Sequence, residues 1–260
     1  MIKNSFIFLD KISHRSEKKI WEQKIHTWDH FLEAREIQGI GKTRKIFYDQ
    51  QIHYAKTAIT DDNAQALSAL FPKQEHWRLY DLFKSQACFL DIETSGYYGD
   101  ITVVGIYDGR ETKTMVKGIN LNPLLLNRLL QHYKMIITFN GASFDLPVIN
   151  KYYPNTIPHV PHIDLRHPLA KLGYSGGLKS IEAQLGIRRA EAVQGISGSD
   201  AVYLWNMYKA TGKREYLERL VQYNEEDIIN LKPLADFVFK EMKRKVFEEN
   251  VKLNSSRNIC

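Results

Sequence analysis

Apolar positions recur at helical spacing through the first third of the chain. In "SEKKIWEQKI" Ile20, Trp21 and Ile25 repeat with a period near 3.6, which predicts a helix capped by Ser16. "TWDHFLEAREI" repeats the pattern after Thr27. "IQGIGKTRKIFYDQQIHYAKTAI" sets Gly39 and Gly41 ahead of a longer helical run, and "DDNAQALSALFP" predicts a short helix that Pro72 ends. From about residue 86 the texture changes. "ACFLDIE", "ITVVGIYDG" and "TKTMVKGI" are short β-rich runs separated by turn residues. "NPLLLNRLLQHY" is a helix with Pro123 in its first turn, "KMIITFNG" a buried strand, "SFDLPVINKYY" a short helix and "HVPHIDL" an extended segment. "GGLKSIEAQLGI" places Gly176 and Gly177 before a helix that Gly186 closes. "DAVYLWNMYKATG" and a long run from "REYLERL" to "KEMKRK", bent near Pro233, are helical.

Three leading strands, a helix, a strand and then mostly helices predict an α/β domain with a mixed sheet. The expected organisation is a helical N-terminal region over 1–85, an α/β domain over 86–240 and a polar, frayed C-terminal tail over 241–260. Within the first region, "IQGIGKTRK" reads either as one half of a helix-hairpin-helix, whose turn amides hold a nucleic-acid phosphate, or as a turn in a small helical cap.

Composition narrows the picture only a little. Of 260 residues, 43% are apolar and 12% aromatic, which argues against disorder and promises a sizeable core. No apolar run approaches the roughly 20 residues of a membrane span. "MIKNSFIFLDK" lacks a long apolar stretch and a cleavage site. A cytoplasmic, soluble protein with no membrane partner is expected. The two cysteines form no disulfide framework and no zinc pair, so Cys88 is expected in the core. The net charge of +6 is compatible with a polyanionic partner without requiring one.

The candidate chemistry lies in the acids. "CFLDIETSG" places Asp91 and Glu93 on one face of a strand built for burial. Side by side and buried, they would cost several kcal/mol unless a proton or a cation compensates. Either the strand end is solvated or something positive belongs there. Asp145 follows the turn that leaves "KMIITF". Asp227 stands four residues after Tyr223, on a helix face that also carries Leu220 and Leu231 and so turns partly inward. Asp164 ends "HIDL" and is read as structural. His159, His162 and His167 have no spacing that suits zinc.

Taken in order, "DIET", "FNGASFD" and "YNEED" resemble the three motifs of the DEDD superfamily of 3′–5′ exonucleases, which have a ribonuclease H-like fold. The second motif is similar to that of the proofreading domain of family B DNA polymerases, and Tyr223 marks the tyrosine variant. "TWDHFL", "WRLYDLF", "TFNGASFDLP" and "GGLKSIEAQLGI" extend the likeness, over residues 5 to 240, to the YprB-type ribonuclease H-like family of predicted exonucleases. The resemblance implies a mixed sheet flanked by helices and two divalent ions, magnesium or manganese. It implies that Asp91, Glu93 and Asp227 hold the ion that activates water, that Asp91 bridges to a second ion anchored by Asp145, and that Tyr223 positions the attacking water.

Substrate contacts are expected from backbone amides at Thr94 and Ser95, from Asn140, from Phe144 by stacking or else as core, and from Lys179 at a helix start, the alternative being a solvent-facing lysine. The implied substrate is single-stranded DNA ahead of RNA. A ribonuclease, a structure-selective endonuclease of the same fold and a nucleic-acid-binding module with a relict site are the alternatives.

Overall fold

Ser13, not Ser16, begins the first helix. Its hydroxyl accepts the Ser16 N–H at 3.2 Å, and nothing in the His14–Arg15 pair stops the helix from starting one turn earlier. The computed structural model describes residues 1–96 and 99–248. The chain divides into two units, one of 1–84, 159–162 and 239–260, the other of 85–158 and 163–238.

The first unit is helical. Its elements are α1 (His14–Glu22), α2 (Trp28–Glu33), α3 (Lys42–Thr60), α4 (Ala64–Leu70) and α5 (Tyr80–Phe83). Thr27 and Asn63 cap α2 and α4, their side chains accepting the His30 and Ala66 N–H groups. Phe6, Leu9, Trp28, Phe31, Tyr48, Ile52 and Leu67 fill the core. Through that core runs a fully buried ion network. Arg78 donates to both oxygens of Glu17 at 3.0 Å and to Glu75 at 2.7 Å, while Glu17 also accepts the N–H groups of Phe6 and Ile7. Because each guanidinium nitrogen has a partner, the charges are tolerated there and pin the N-terminal segment to α1.

The second unit is built on a sheet in the order β3–β2–β1–β4–β5. β1 (Ala87–Thr94) is central and buried at nearly every position. β2 (Ile101–Tyr107) pairs antiparallel with β1, and β3 (Thr112–Val116) antiparallel with β2. β4 (Met135–Thr138) runs parallel to β1, which requires a crossover, supplied by α6 (Pro123–Leu130). Asn122 starts α6 by accepting the N–H groups of Leu124 and Leu125. β5 (His162–Asp164) closes the order beside β4. The remaining helices are α7 (Asp145–Tyr152), α8 (Arg166–Lys171), α9 (Leu178–Leu185), α10 (Gly198–Thr211) and α11 (Arg214–Lys243).

α10 and α11 pack Leu204, Trp205, Leu220 and Tyr223 against Val103 of β2 and Val116 of β3. α11 continues to Lys243 with Pro233 inside it, and a π-helical turn follows over Arg244–Glu248. Of the tail expected over 241–260, residues 241–248 are helical and the remainder lies outside the described residues. No described helix is long and apolar enough to cross a membrane. Cys88 is buried, as its place in β1 predicts.

Candidate active site

β1 outruns its parallel neighbour. Its register with β4 covers Ala87–Phe89 only, so beyond Phe89 that edge of β1 has no strand partner. A buried N–H there must be paired some other way. Asp145, at the first turn of α7, supplies the acceptor: its Oδ1 takes the Ile92 N–H at 3.0 Å. This bond brings the second-motif acid beside the strand that carries Asp91 and Glu93.

The loop that delivers Asp145 is tied down by Asp164. Its carboxylate accepts the N–H groups of Asn140 at 2.7 Å, Ala142 at 3.1 Å and Arg166 at 3.1 Å. Gly141 is required in this loop, because a Cβ there would stand 2.3 Å from Thr138 Oγ1. Asp164 therefore acts as a structural acid, consistent with its place at the end of "HIDL".

α11 presents a run of polar side chains, each with its own partner. Asn224 donates from Nδ2 to Asp91 Oδ2 at 2.8 Å. Glu225 accepts the hydroxyl of Thr114 on β3 at 2.9 Å, and Glu226 accepts the Ala190 N–H at 3.1 Å. Asp227 faces Glu93 and Asp91, and the three residues each offer a carboxylate oxygen within 4.8 Å of the others. Glu93 and Asp227 are buried, whereas Asp91 keeps part of its surface open.

Gly105 makes the Asn224 contact possible. It pairs with Asp91 across β1 and β2, and a Cβ added there would meet Asn224 Oδ1 at 2.0 Å and Ile228 Cδ1 at 3.1 Å. Both contacts are on packed side chains. Gly105→Ala is therefore expected to push Asn224 off Asp91 and to cost about 1–3 kcal/mol by overpacking. Urea unfolding checks this, and an unchanged midpoint would contradict the close approach.

The acids are poorly compensated by the protein itself. Burial pushes the Asp91 carboxyl well above its usual range, and Asp145, Glu93 and Asp227 push it the same way. Burial does the same to Glu93, reinforced by Asp227 and Asp145. Asp145 is raised by burial to about 7, with the Ile92 N–H pulling in the other direction. Asp227 is raised as well, burial outweighing the Arg189 guanidinium. Tyr223, one turn before Asp227, is raised by burial and by the carboxylates of Asp227, Glu93 and Asp91, so it stands as a neutral phenol. Hard oxygen donors crowded together and short of positive charge fit a divalent cation of the magnesium or manganese kind.

α9 and the loop that follows it supply the positive charge that is present. Buried Glu182 holds Arg189 by two bonds, to Nε and Nη2, and Arg189 Nη1 meets Asp227 Oδ1 at 2.5 Å as an ion pair. Lys179, one turn before Glu182, lies with its ammonium 4.5 Å from the centre of the Tyr223 ring. That ammonium is buried and has no hydrogen-bond partner among the described residues. Burial lowers its pKa. The solvent-facing alternative for Lys179 does not hold.

The other residues singled out by sequence fall around this centre unevenly. The Ser95 N–H is taken by the Asp100 carbonyl at 2.9 Å, so this amide is closed to a nucleotide in the structure, which corrects that part of the expectation. The Thr94 hydroxyl donates to the Gly96 carbonyl. Asn140 has a positive φ of 65°, and its side-chain oxygen accepts from Ser143 and Arg166 within the loop. Phe144 is half-buried before α7. Sequence reasoning missed Asn224, Arg189 and Glu182. The signal for Asn224 was its place in the 3.6-residue period, next to Tyr223 and on the face of Leu220 and Leu231; Arg189 had none, because it lies in a loop.

The fold and the acids together define a class: a mixed-sheet α/β domain of the ribonuclease H-like kind with a buried carboxylate cluster. The chain belongs to the RNase_H superfamily, whose model RNase_H_2 matches residues 88–239. No curated protein matches it. A solved structure described as "apo form of the nuclease" aligns with 20% identity and a TM-score of 0.46, covering 64% of this chain and 78% of that one. Ribonuclease H-like nucleases hydrolyse nucleic acid with divalent metal ions, and the carboxylate cluster suits that chemistry.

Proposed function

We propose that the chain is a 3′–5′ exonuclease of the tyrosine-variant DEDD type, of the YprB-type family, acting on single-stranded DNA. The observation that carries this reading is the meeting of Asp91, Glu93 and Asp227 within 4.8 Å, with Asp145 bonded to the intervening Ile92. Asp91, Glu93 and Asp227 would hold one magnesium or manganese ion, and Asp91 with Asp145 a second. When bound, such ions supply a nucleophile at neutral pH and stabilise charge on the phosphate and the leaving oxygen.

The protein's own groups have separate tasks. Asn224 fixes the rotamer of Asp91 by donating to Oδ2. Tyr223, neutral and buried beside Asp227, serves as a hydrogen-bond donor that orients the attacking water, since a phenol with a raised pKa is a poor base. The Lys179 ammonium, unpartnered and resting on the Tyr223 ring, is available to a phosphate oxygen. Asn140 and Phe144 would meet the sugar and base of the terminal nucleotide.

An end-labelled strand tests the reading. With Mg²⁺ a 5′-labelled single strand is expected to shorten in a ladder from its 3′ end, faster than the matching RNA, and a circular strand is expected to survive. Cutting of the circle would make the protein an endonuclease, RNA preference a ribonuclease, and binding without cleavage a module with a relict site.

A further inference from the structure

The outward face of α3 is unusual. Its inward positions, Tyr48, Ile52, Ala55 and Ala58, are buried and complete the core of the helical unit. The opposite side of a surface helix is ordinarily polar. Here Ile46, Phe47 and Tyr54 stand 62%, 47% and 55% exposed. Phe47 and Tyr54 are seven residues apart, so they lie on one face two turns, or about 10 Å, from each other. Phe47 leans on the buried Tyr48 ring, 6.3 Å between centroids, and the rest of its surface is open.

Two unpaired cations stand in the first turn of the same helix. α3 carries Lys42, Arg44, Lys45 and Lys56; Lys45 is neutralised by Asp49 and Lys56 by Asp29 of α2, each at 2.7 Å. Lys42 and Arg44 are exposed and form no ion pair among the described residues. The whole of the chain's charge excess belongs to this unit. It holds 20 Lys and Arg against 14 Asp and Glu, while the other unit holds 16 of each. Exposed rings with a π face, on the one unit that carries the chain's positive excess, match a strand of unpaired bases on a phosphate backbone. An apolar protein partner would use the rings and leave the basic excess unexplained.

We propose that α3, through the Phe47 and Tyr54 rings on one side and the long Lys42 and Arg44 side chains of its first turn, is a docking strip for single-stranded nucleic acid outside the carboxylate site. The proposal rests on the nuclease reading for the identity of its ligand. The rings stack on bases without sequence preference, and the two cations neutralise phosphates.

Fluorescence anisotropy of a labelled oligothymidylate on the full chain tests this, with Asp91→Asn as the background in every arm so that the strand stays intact. Adding Phe47→Ala and Tyr54→Ala is expected to weaken binding at least about tenfold, given the usual worth of a stacked base. Adding Lys42→Ala and Arg44→Ala instead is expected to lower the slope of log K against log salt by about 1.4, from roughly 0.7 per phosphate contact on a single strand. Unchanged affinity and slope would overturn the strip. So would loss of self-association by the ring variant, seen in sedimentation, with oligonucleotide binding intact. Turnover of thymidine 5′-(p-nitrophenyl phosphate) by the unsubstituted chain separates the two readings. If it is turned over but binding ignores the rings, the strip fails alone. If nothing is cleaved yet binding needs the rings, the nuclease reading fails and the strip stands.

Discussion

Asp91→Asn is expected to remove at least about a thousandfold of nucleic-acid cleavage while leaving the fold intact. Asp91 is the acid on which the site converges: it shares a cluster with Glu93 and Asp227, and it accepts the Asn224 amide. Losing its charge removes an ion's anchor, and charge stabilisation by a bound ion is worth several kcal/mol in the transition state; about 4 kcal/mol is a thousandfold in rate. The fold should survive for a local reason. Asparagine has the shape of aspartate, and its Oδ1 can accept the same Asn224 N–H that Asp91 Oδ2 accepts at 2.8 Å. The strand's packing rests on its neighbours Leu90 and Ile92, which are buried independently of residue 91. Initial rates on a labelled strand, with circular dichroism alongside, check both halves. Full activity in the variant would show that the cluster is not the site; lost activity with lost ellipticity would show that Asp91 holds up the strand instead.

What the sequence revealed of this centre follows from which signals are local. Asp91 and Glu93 were legible because strand alternation places them on one face and the apolar run buries the strand. Tyr223 and Asp227 were legible because four residues make one helical turn. Asp145 could be placed only as an acid after a turn, since its position depends on where β4 stops, at Thr138, while β1 continues to Thr94. The hydrogen bond to Ile92 is a consequence of that mismatch in strand length, which no short window of sequence contains. Arg189 shows the limit more sharply. It reaches Asp227 from 38 residues away along the chain, through a salt bridge to Glu182 on another helix, and only the packing of α9 against α11 brings the three together. Among the elements, α8 and the 3-10 turn over Lys73–Leu79 had no clear periodicity, because each is about one or two turns long and too short for a pattern to repeat. The start of α1 slipped by three residues because Ser13 and Ser16 are equally good caps.

The same crowding of acids makes stability depend on pH and metal in a predictable direction. A carboxyl whose pKa is higher in the folded protein than in the unfolded chain holds a proton in the fold that the unfolded chain has released. Its contribution is favourable below the unfolded pKa and is lost as pH rises through the folded one. For Asp145 that window runs from about 4 to about 7, and Asp91 and Glu93 are shifted the same way. The metal-free protein is therefore expected to lose on the order of a few kcal/mol between pH 5 and pH 8, a fall in Tm of about 5–10 °C for a chain of this size. Glu75 and His76 titrate differently. Burial works against the charged form of Glu75, but His14 and Arg78 bring it down to about 2, so its contribution disappears only in acid below this range. Buried His76 has a lowered pKa, which adds stability as pH rises and opposes the acids. Comparison with Asp91→Asn cancels His76, because both proteins contain it. The variant should lose less on going from pH 5 to pH 8, and at pH 8 it should be the more stable of the two without metal. Saturating Mg²⁺ or Mn²⁺ should reverse the order: an ion at a hundred times its Kd adds about 2.7 kcal/mol to the protein that binds it, and less at pH 5, where protons compete for the same oxygens. Calorimetry in a chelator and then in metal reads all of this directly. If the unsubstituted protein held its Tm as well as the variant from pH 5 to pH 8, the acids would be solvated at a strand end, and the cluster would have no need of a cation.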